Sequence, residues 1–356
     1  MIKKAEENKI LLLELGRGLA AILVVLYHMN NYYFNTEKYW LDSLLGGLFR
    51  FGHSGVEFFF VLSGFIMIWA HKNYIDNPKS IKVFIKKRFL RIYPLVWLTV
   101  GISLVLYIIS GTGKEEFRDP LYAIQFFLLF GKEPLGGINF PTWTLWHENI
   151  FYLFCVLIFA NARFGLIALS IWTIISVFTA ILGYSSNSVF YAIRPLNALF
   201  SFGVIIAFFL MHRNCRFYRI TALLGVFLFF YLGIDSNKYP ENMFFYTLGF
   251  GFSSALIILG SVEIERSSHL SIPSYFSHFG TLSYPLYLTH MITLPVLAKI
   301  LLFISAPVWM NPIVAAIIML SASISVAVFT HVIFEKPVSK WLKGKIGLKM
   351  SNKSMT

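Results

Sequence analysis

Apolar runs alternate with short polar stretches along the whole chain, near residues 13 to 33, 51 to 70, 93 to 110, 142 to 160, 164 to 183, 195 to 211, 220 to 234, 242 to 262, 280 to 304 and 312 to 334. About 20 consecutive apolar residues cross a hydrocarbon layer of about 30 Å as a helix. The runs are continuous rather than alternating with period two, which excludes a β-barrel and requires helices that satisfy their own backbone hydrogen bonds. The pattern predicts an all-α polytopic membrane bundle of about ten spans. An eleventh run, 120 to 130, is too short to cross and reads as a re-entrant or interfacial helix within an outer loop over 112 to 141.

Composition agrees. Of 356 residues, 57% are hydrophobic and only 13% charged, against about 25% charged in soluble domains, which excludes an ordinary soluble enzyme. The formal charge of +13 is not a nucleic-acid signal, because the excess lies in polar segments at span ends. Residues 71 to 91 carry Lys72, Lys79, Lys82, Lys86, Lys87, Arg88 and Arg91. Arg213, Arg216 and Arg219 follow in 212 to 219, and Lys336, Lys340, Lys343, Lys345, Lys349 and Lys353 in the tail. The positive-inside rule places all three segments in the cytoplasm. With the basic N-terminus, read as an uncleaved first span, this predicts ten spans with both termini cytoplasmic. Cys155 and Cys215 build neither a disulfide framework nor a metal set.

Ionisable groups inside spans are costly, about 2.5–3.5 kcal/mol on insertion scales, and mark function by default. Arg17 and His28 are close to three helical turns apart, so they share a face about 16 Å apart along the axis, and Glu14 joins that face. Glu57 enters the second span behind glycines 52 and 55, and Glu148 lies in the segment Trp143–Tyr152 that opens the fourth. On this map His28, Glu57 and Glu148 sit at similar depth in the outer leaflet. A histidine oriented by a carboxylate is the usual unit for removing a hydroxyl proton. Arg88 and Arg91, at i and i+3, can clamp a phosphate, although a positive-inside anchor needs no ligand. Pro285, in the run Gly280–His290, predicts a kink that frees carbonyls toward a cavity. Taken alone, each feature also has a structural explanation: an interfacial ion pair, a satisfied core histidine, a snorkelling carboxylate.

Together and in order, these segments resemble the acyltransferase 3 family of integral-membrane acyltransferases. The matching pieces are Arg17-x10-His28, Gly55-Val56-Glu57-Phe58-Phe59-Phe60-Val61-Leu62-Ser63-Gly64-Phe65, Arg88-x-x-Arg91-Ile92-Tyr93-Pro94, Trp143-Thr144-Leu145-x-x-Glu148-x-x-Phe151-Tyr152, Ser283-Tyr284-Pro285-Leu286-Tyr287-Leu288-x-His290 and Phe334-Glu335-Lys336-Pro337. Glu57 stands where the family commonly has aspartate, and Trp146-His147 where small polar residues are frequent. The resemblance implies a transmembrane acyltransferase domain over 1–340 followed by a basic cytoplasmic tail, 341–356, in a bacterial inner membrane. It implies acetyl-CoA or another acyl-CoA as co-substrate, with no permanently bound cofactor and no metal. The acceptor is a hydroxyl of an extracytoplasmic or lipid-linked sugar, such as O-antigen, capsule or exopolysaccharide. Partners are then membrane lipids, acyl-CoA and the sugar, and a homo-oligomer is compatible with this reading. Carried over residue by residue, His28, Glu148 and Glu57 are catalytic, Arg17, Arg88, Arg91 and Tyr93 hold the donor, and Trp143, Tyr284, Tyr287 and His290 face the acceptor. Direct transfer and an acyl-histidine intermediate both stay open. The rival reading, a secondary transporter or flippase of a lipid-linked sugar, also holds charges in its spans but needs no donor site.

Overall fold

The computed structural model describes residues 10–34, 36–40, 43–111, 115–130, 137–182, 192–239, 242–267, 273 and 275–345. Among them there are helices and turns but no strands, and ten helical segments are long and apolar enough to cross a membrane. The helices are α1 (Leu11–Met29), α2 (Gly55–Trp69), α3 (Ile81–Ser110), the short α4 (Pro120–Leu128), α5 (Trp143–Ala160), α6 (Ala162–Ile181), α7 (Ala198–His212), α8 (Tyr218–Ser236), α9 (Met243–Ser267), α10 (Phe276–Phe303), α11 (Pro312–Thr330) and α12 (Lys336–Lys345).

The bundle is built around α2. The span containing it, Leu44–Trp69, is 78% buried over its most apolar window, whereas the α6 and α8 spans are 22% buried and form the rim. Large apolar side chains such as Ile109, Ile174, Leu223 and Phe329 lie exposed on the outside; a belt of this kind is stable only against lipid. With lipid outside, packing rather than the hydrophobic effect joins the helices, and small residues carry it. A Cβ at Gly64 of α2 would stand 2.0 Å from the Phe200 carbonyl oxygen of α7, and one at Gly203 of α7 2.0 Å from that of Val61. Only glycine lets these two backbones meet.

One end of the bundle collects the basic segments. There the Glu265 carboxylate at the end of α9 accepts the Leu11 N–H at 2.9 Å and also that of Leu12, capping α1 from another helix. Arg266 donates to the Leu210 carbonyl at the end of α7 (3.2 Å), and the Ala162 N–H between α5 and α6 donates to Asp76 (2.7 Å). The start of α1, the ends of α7 and α9, the α5–α6 turn and the 71–80 segment therefore share this basic end.

Three boundaries differ from the hydropathy reading. The third helix starts at Ile81, not near 93, because Lys and Arg are good helix formers and hydropathy marks where lipid begins, not where a helix does. The second span is preceded by a 3-10 segment, Leu44–Ser54, bent where Leu45, Gly46 and Gly47 take φ of 48°, 66° and 81°. The last span runs on through a π-helical turn, His331–Glu335, into α12; the boundary expected at 340 thus falls within α12, and residues 346–356 lie outside the described set. The run at 120–130 forms α4, nine residues or about 14 Å long, capped by Asp119. Its C-terminal end docks halfway along α3, where Tyr93 Oη and Trp97 Nε1 donate to the Leu128 and Phe127 carbonyls at 3.2 and 2.9 Å.

Candidate active site

The 3.6-residue period of α5 sorts its side chains among three surroundings. Thr144, Leu145, Glu148 and Tyr152 face an internal cavity of about 270 Å³. Trp146, Asn149 and Leu153 face a wider apolar groove of about 850 Å³ between α3 and α5. His147 turns to α7's start, where its Nδ1 lies 2.6 Å from Asn197 Oδ1. Trp146 and His147, two of the three residues that depart from the family pattern, thus lie off the cavity.

Arginines dominate the cavity. Arg17 from α1 and Arg88 and Arg91 from α3 line it, with Glu14 and Glu148 as the acidic groups, leaving one positive charge uncompensated. Arg17 donates to both Glu14 oxygens at 3.2 and 3.3 Å. Glu14 fits only because α10 has Gly280 opposite; a Cβ there would fall 1.7 Å from Glu14 Oε2. Glu148 is held by hydroxyl donors, Ser63 Oγ at 3.2 Å and Tyr152 Oη at 2.5 Å. Arg88 lines both the cavity and the groove, and its buried Nε has no hydrogen-bond partner among the described residues. Buried guanidinium N–H groups without acceptors are costly, and such a wall can hold an anion.

Beyond the cavity lies a histidine pair. His290 Nε2 is 3.3 Å from His28 Nδ1, with the ring centroids 5.0 Å apart. Each Nδ1 also meets a carbonyl one turn back, Val24 at 2.8 Å and Leu286 at 3.2 Å. Carbonyl oxygens only accept, so each Nδ1 carries its hydrogen; His290 Nε2 presents a lone pair to His28, and the free lone pair of His28 is on Nε2. Tyr32 stacks on His28 and Tyr27 and Phe140 meet it edge-on. Tyr287 separates pair from cavity: it lines the cavity, its hydroxyl is 3.1 Å from Thr144 Oγ1, and its ring lies 6.0 Å from that of His290.

The structure therefore brings together Arg17, Arg88, Arg91, Glu148, Tyr284 and Tyr287 around one cavity and His28 with His290 beside it. Among the described residues it does not bring His28 to a carboxylate. Glu148 belongs to the arginine cavity, and Glu57 lies 3.5 Å from His53 Nδ1 instead. Equal depth along two helices does not make two side chains face each other; rotation about each axis decides that. Tyr93 is turned into the groove, accepting from Asn149 Nδ2 at 3.3 Å, and does not line the cavity, whereas Arg88 and Ile92 line both. Trp143 stands edge-on to His147, 5.7 Å away. Tyr284, in the cavity wall, donates to the Ile92 carbonyl at 2.9 Å.

A family model for an acyltransferase domain matches residues 10–332. The chain belongs to the acyltransferase 3 family. Among its relatives, the exopolysaccharide production protein ExoZ of Rhizobium meliloti is 26% identical over 71% of this chain and 80% of its own. A putative acetyltransferase, ORF330, of Acidianus two-tailed virus is 25% identical over 78% and 81%. The acyltransferase MdmB of Streptomyces mycarofaciens is 30% identical over 38% and 36%. No solved structure matches. The protein is thus a multi-pass membrane acyltransferase, and the transporter reading gives way.

Sequence reasoning missed parts of this acyltransferase's site. His53 lies one turn before Glu57 and Tyr32 one turn after His28, but their glycine- and asparagine-rich surroundings carry no motif of their own. Ser63 and Tyr152 stood inside the family segments, but only the fold turns both hydroxyls onto Glu148. The pairing of His28 with His290 spans 262 positions and had no local signal.

Proposed function

We propose that this acyltransferase moves an acyl group, acetyl in the simplest case, from cytoplasmic acyl-CoA to a hydroxyl of an extracytoplasmic or lipid-linked sugar in a bacterial inner membrane. One observation carries the reading: an arginine-lined cavity inside the membrane adjoins a buried imidazole pair, with one tyrosine between them. A donor with phosphates at one end and a thioester at the other suits that order. Arg17, Arg88 and Arg91 bind the phosphates by charge-assisted hydrogen bonds, and the slender pantetheine arm passes Tyr287 toward His28. The basic end then faces the cytoplasm, where acyl-CoA is made, and the acceptor meets the acyl group from the opposite side.

At His28, the Nε2 lone pair serves in one of two ways. It takes the acceptor proton while the hydroxyl attacks the thioester, or it attacks the thioester carbonyl itself and holds the acyl group. In both, His290 Nε2 accepts from His28 Nδ1–H and stabilises the positive charge that develops on the ring. The ExoZ relative's association with exopolysaccharide production supports a glycan acceptor.

The test is mass spectrometry of the cell-surface glycan with and without the gene. Deletion removes an acyl substituent, the wild-type gene restores it, and His28→Ala, present in the membrane at equal level, does not. Restoration by His28→Ala removes His28 from the chemistry.

A further inference from the structure

The carboxylate–imidazole unit expected at His28 does exist in the fold, on another histidine. His53 sits at the end of the segment Leu44–Ser54, and Glu57 follows one turn later on α2, with His53 Nδ1 3.5 Å from Glu57 Oε1. The Glu57 side chain is 6% exposed and the His53 side chain 23%. Glu57 Oε2 is buried without a hydrogen-bond partner among the described residues. A carboxylate kept inside a membrane bundle with one histidine as its ion-pair partner among the described residues is costly to retain. At that distance it can orient the His53 ring with Nδ1–H toward the carboxylate, which leaves Nε2 as a base.

The pair is also in the right place. A Cβ at Gly52 would stand 2.3 Å from the Leu23 carbonyl oxygen, and one at Gly55 2.4 Å from that of Ala20, so glycines press this segment onto α1. The packing sets His53 edge-on to Tyr27 at 5.6 Å, and Tyr27 edge-on to His28 at 5.0 Å. Tyr27 thus touches both imidazoles. Tyr32, 46% exposed and parallel to His28, offers a ring face beside it, and aromatic faces suit the C–H face of a sugar.

We propose that His53, oriented by Glu57, is the general base that deprotonates the acceptor hydroxyl, and that His28 carries the acyl group. The inference rests on the acyl-transfer reading above and selects one of its two routes. His28 Nε2 attacks the thioester carbonyl, the C–S bond breaks, and CoA leaves as a thiolate that takes a proton from solvent. The Nδ1 proton of His28 passes to His290 Nε2, which leaves a neutral acylimidazole. The acceptor O–H proton then goes to His53 Nε2 while the oxygen forms the ester bond. The C–N bond to His28 breaks with its electron pair returning to Nε2, His290 returns the proton to Nδ1, and His53 releases its proton to solvent.

The experiment uses the full chain in detergent, with acetyl-CoA, and follows thiol release with water as the sole acceptor and again with hydroxylamine. Water needs a base to attack an acylimidazole; hydroxylamine does not. In the wild type, thiol release occurs with water and rises with hydroxylamine as acetohydroxamate forms. His53→Gln and Glu57→Gln lower the water rate roughly 100-fold and leave the hydroxylamine rate within about twofold of wild type, while Glu57→Asp keeps most of the water rate. Equal loss of both rates overturns the proposal by making His53 a structural part, and unchanged rates overturn it outright. No thiol release from wild type under either condition overturns the thioester reading on which it rests.

Discussion

His28 owes its chemistry to two neighbours that only accept, the Val24 carbonyl and His290 Nε2. Together they fix which nitrogen is free. Replacing His290 by leucine keeps the ring's backbone bond but removes the group that shares its charge. His290→Leu is expected to lower the transfer rate by roughly tenfold or more with donor affinity unchanged, read by acylation kinetics beside CoA binding. The arginines behave in the opposite sense. Each charge-assisted bond is worth about 1.5–3 kcal/mol, so Arg88→Ala combined with Arg91→Ala should weaken acyl-CoA binding at least about tenfold, measured by calorimetry in detergent. Unchanged affinity would assign the two arginines to topology alone.

Helix ends and contacts set where those residues stand. The cap that Glu265 gives α1 is long-range, and Glu265→Ala should destabilise the protein by about 1 kcal/mol, seen as a lower thermal midpoint with the spans still inserted. His71, just past α2, donates to the Met67 carbonyl at 3.0 Å and packs on Phe84 and Phe159. Burial first, and then the charge of Arg88, hold its imidazole at about 4, below the ordinary 6.5. Folded, it stays neutral, while the unfolded chain takes up a proton once pH falls below 6.5. Stability from this group is therefore present above that value and lost as pH falls toward 4. The thermal midpoint is expected to drop between pH 7 and pH 5, less steeply in His71→Phe; equal slopes in the two proteins refute this account. Of the elements themselves, all ten spans were legible in the hydropathy, and the least certain ends were those where charge or glycine met the membrane surface.

Over the whole molecule, one end carries the basic segments and the other the histidine pair with its aromatic surround. Cys215 offers a test of which side is which. It lies at the basic end, free and partly exposed, whereas Cys155 is free and buried. A membrane-impermeant maleimide should label the protein only in permeabilised cells or inverted vesicles. Labelling in intact cells would turn the bundle over and leave the arginine cavity facing away from acyl-CoA.

Length and polarity of each run determined that this chain is a helical membrane bundle, because lipid leaves a backbone no other way to satisfy its hydrogen bonds. The ordered motifs named the family and marked His28, Arg17, Arg88, Arg91 and Glu148 as residues to watch. Which of them meet was decided by tertiary structure alone. Side-chain partners depend on how each helix is rotated and how closely glycines let neighbours approach, and neither quantity is written in a single run of residues. Hence Glu148 stands with the arginines and His28 with His290, while Glu57 keeps to His53, a neighbour one turn away in its own run.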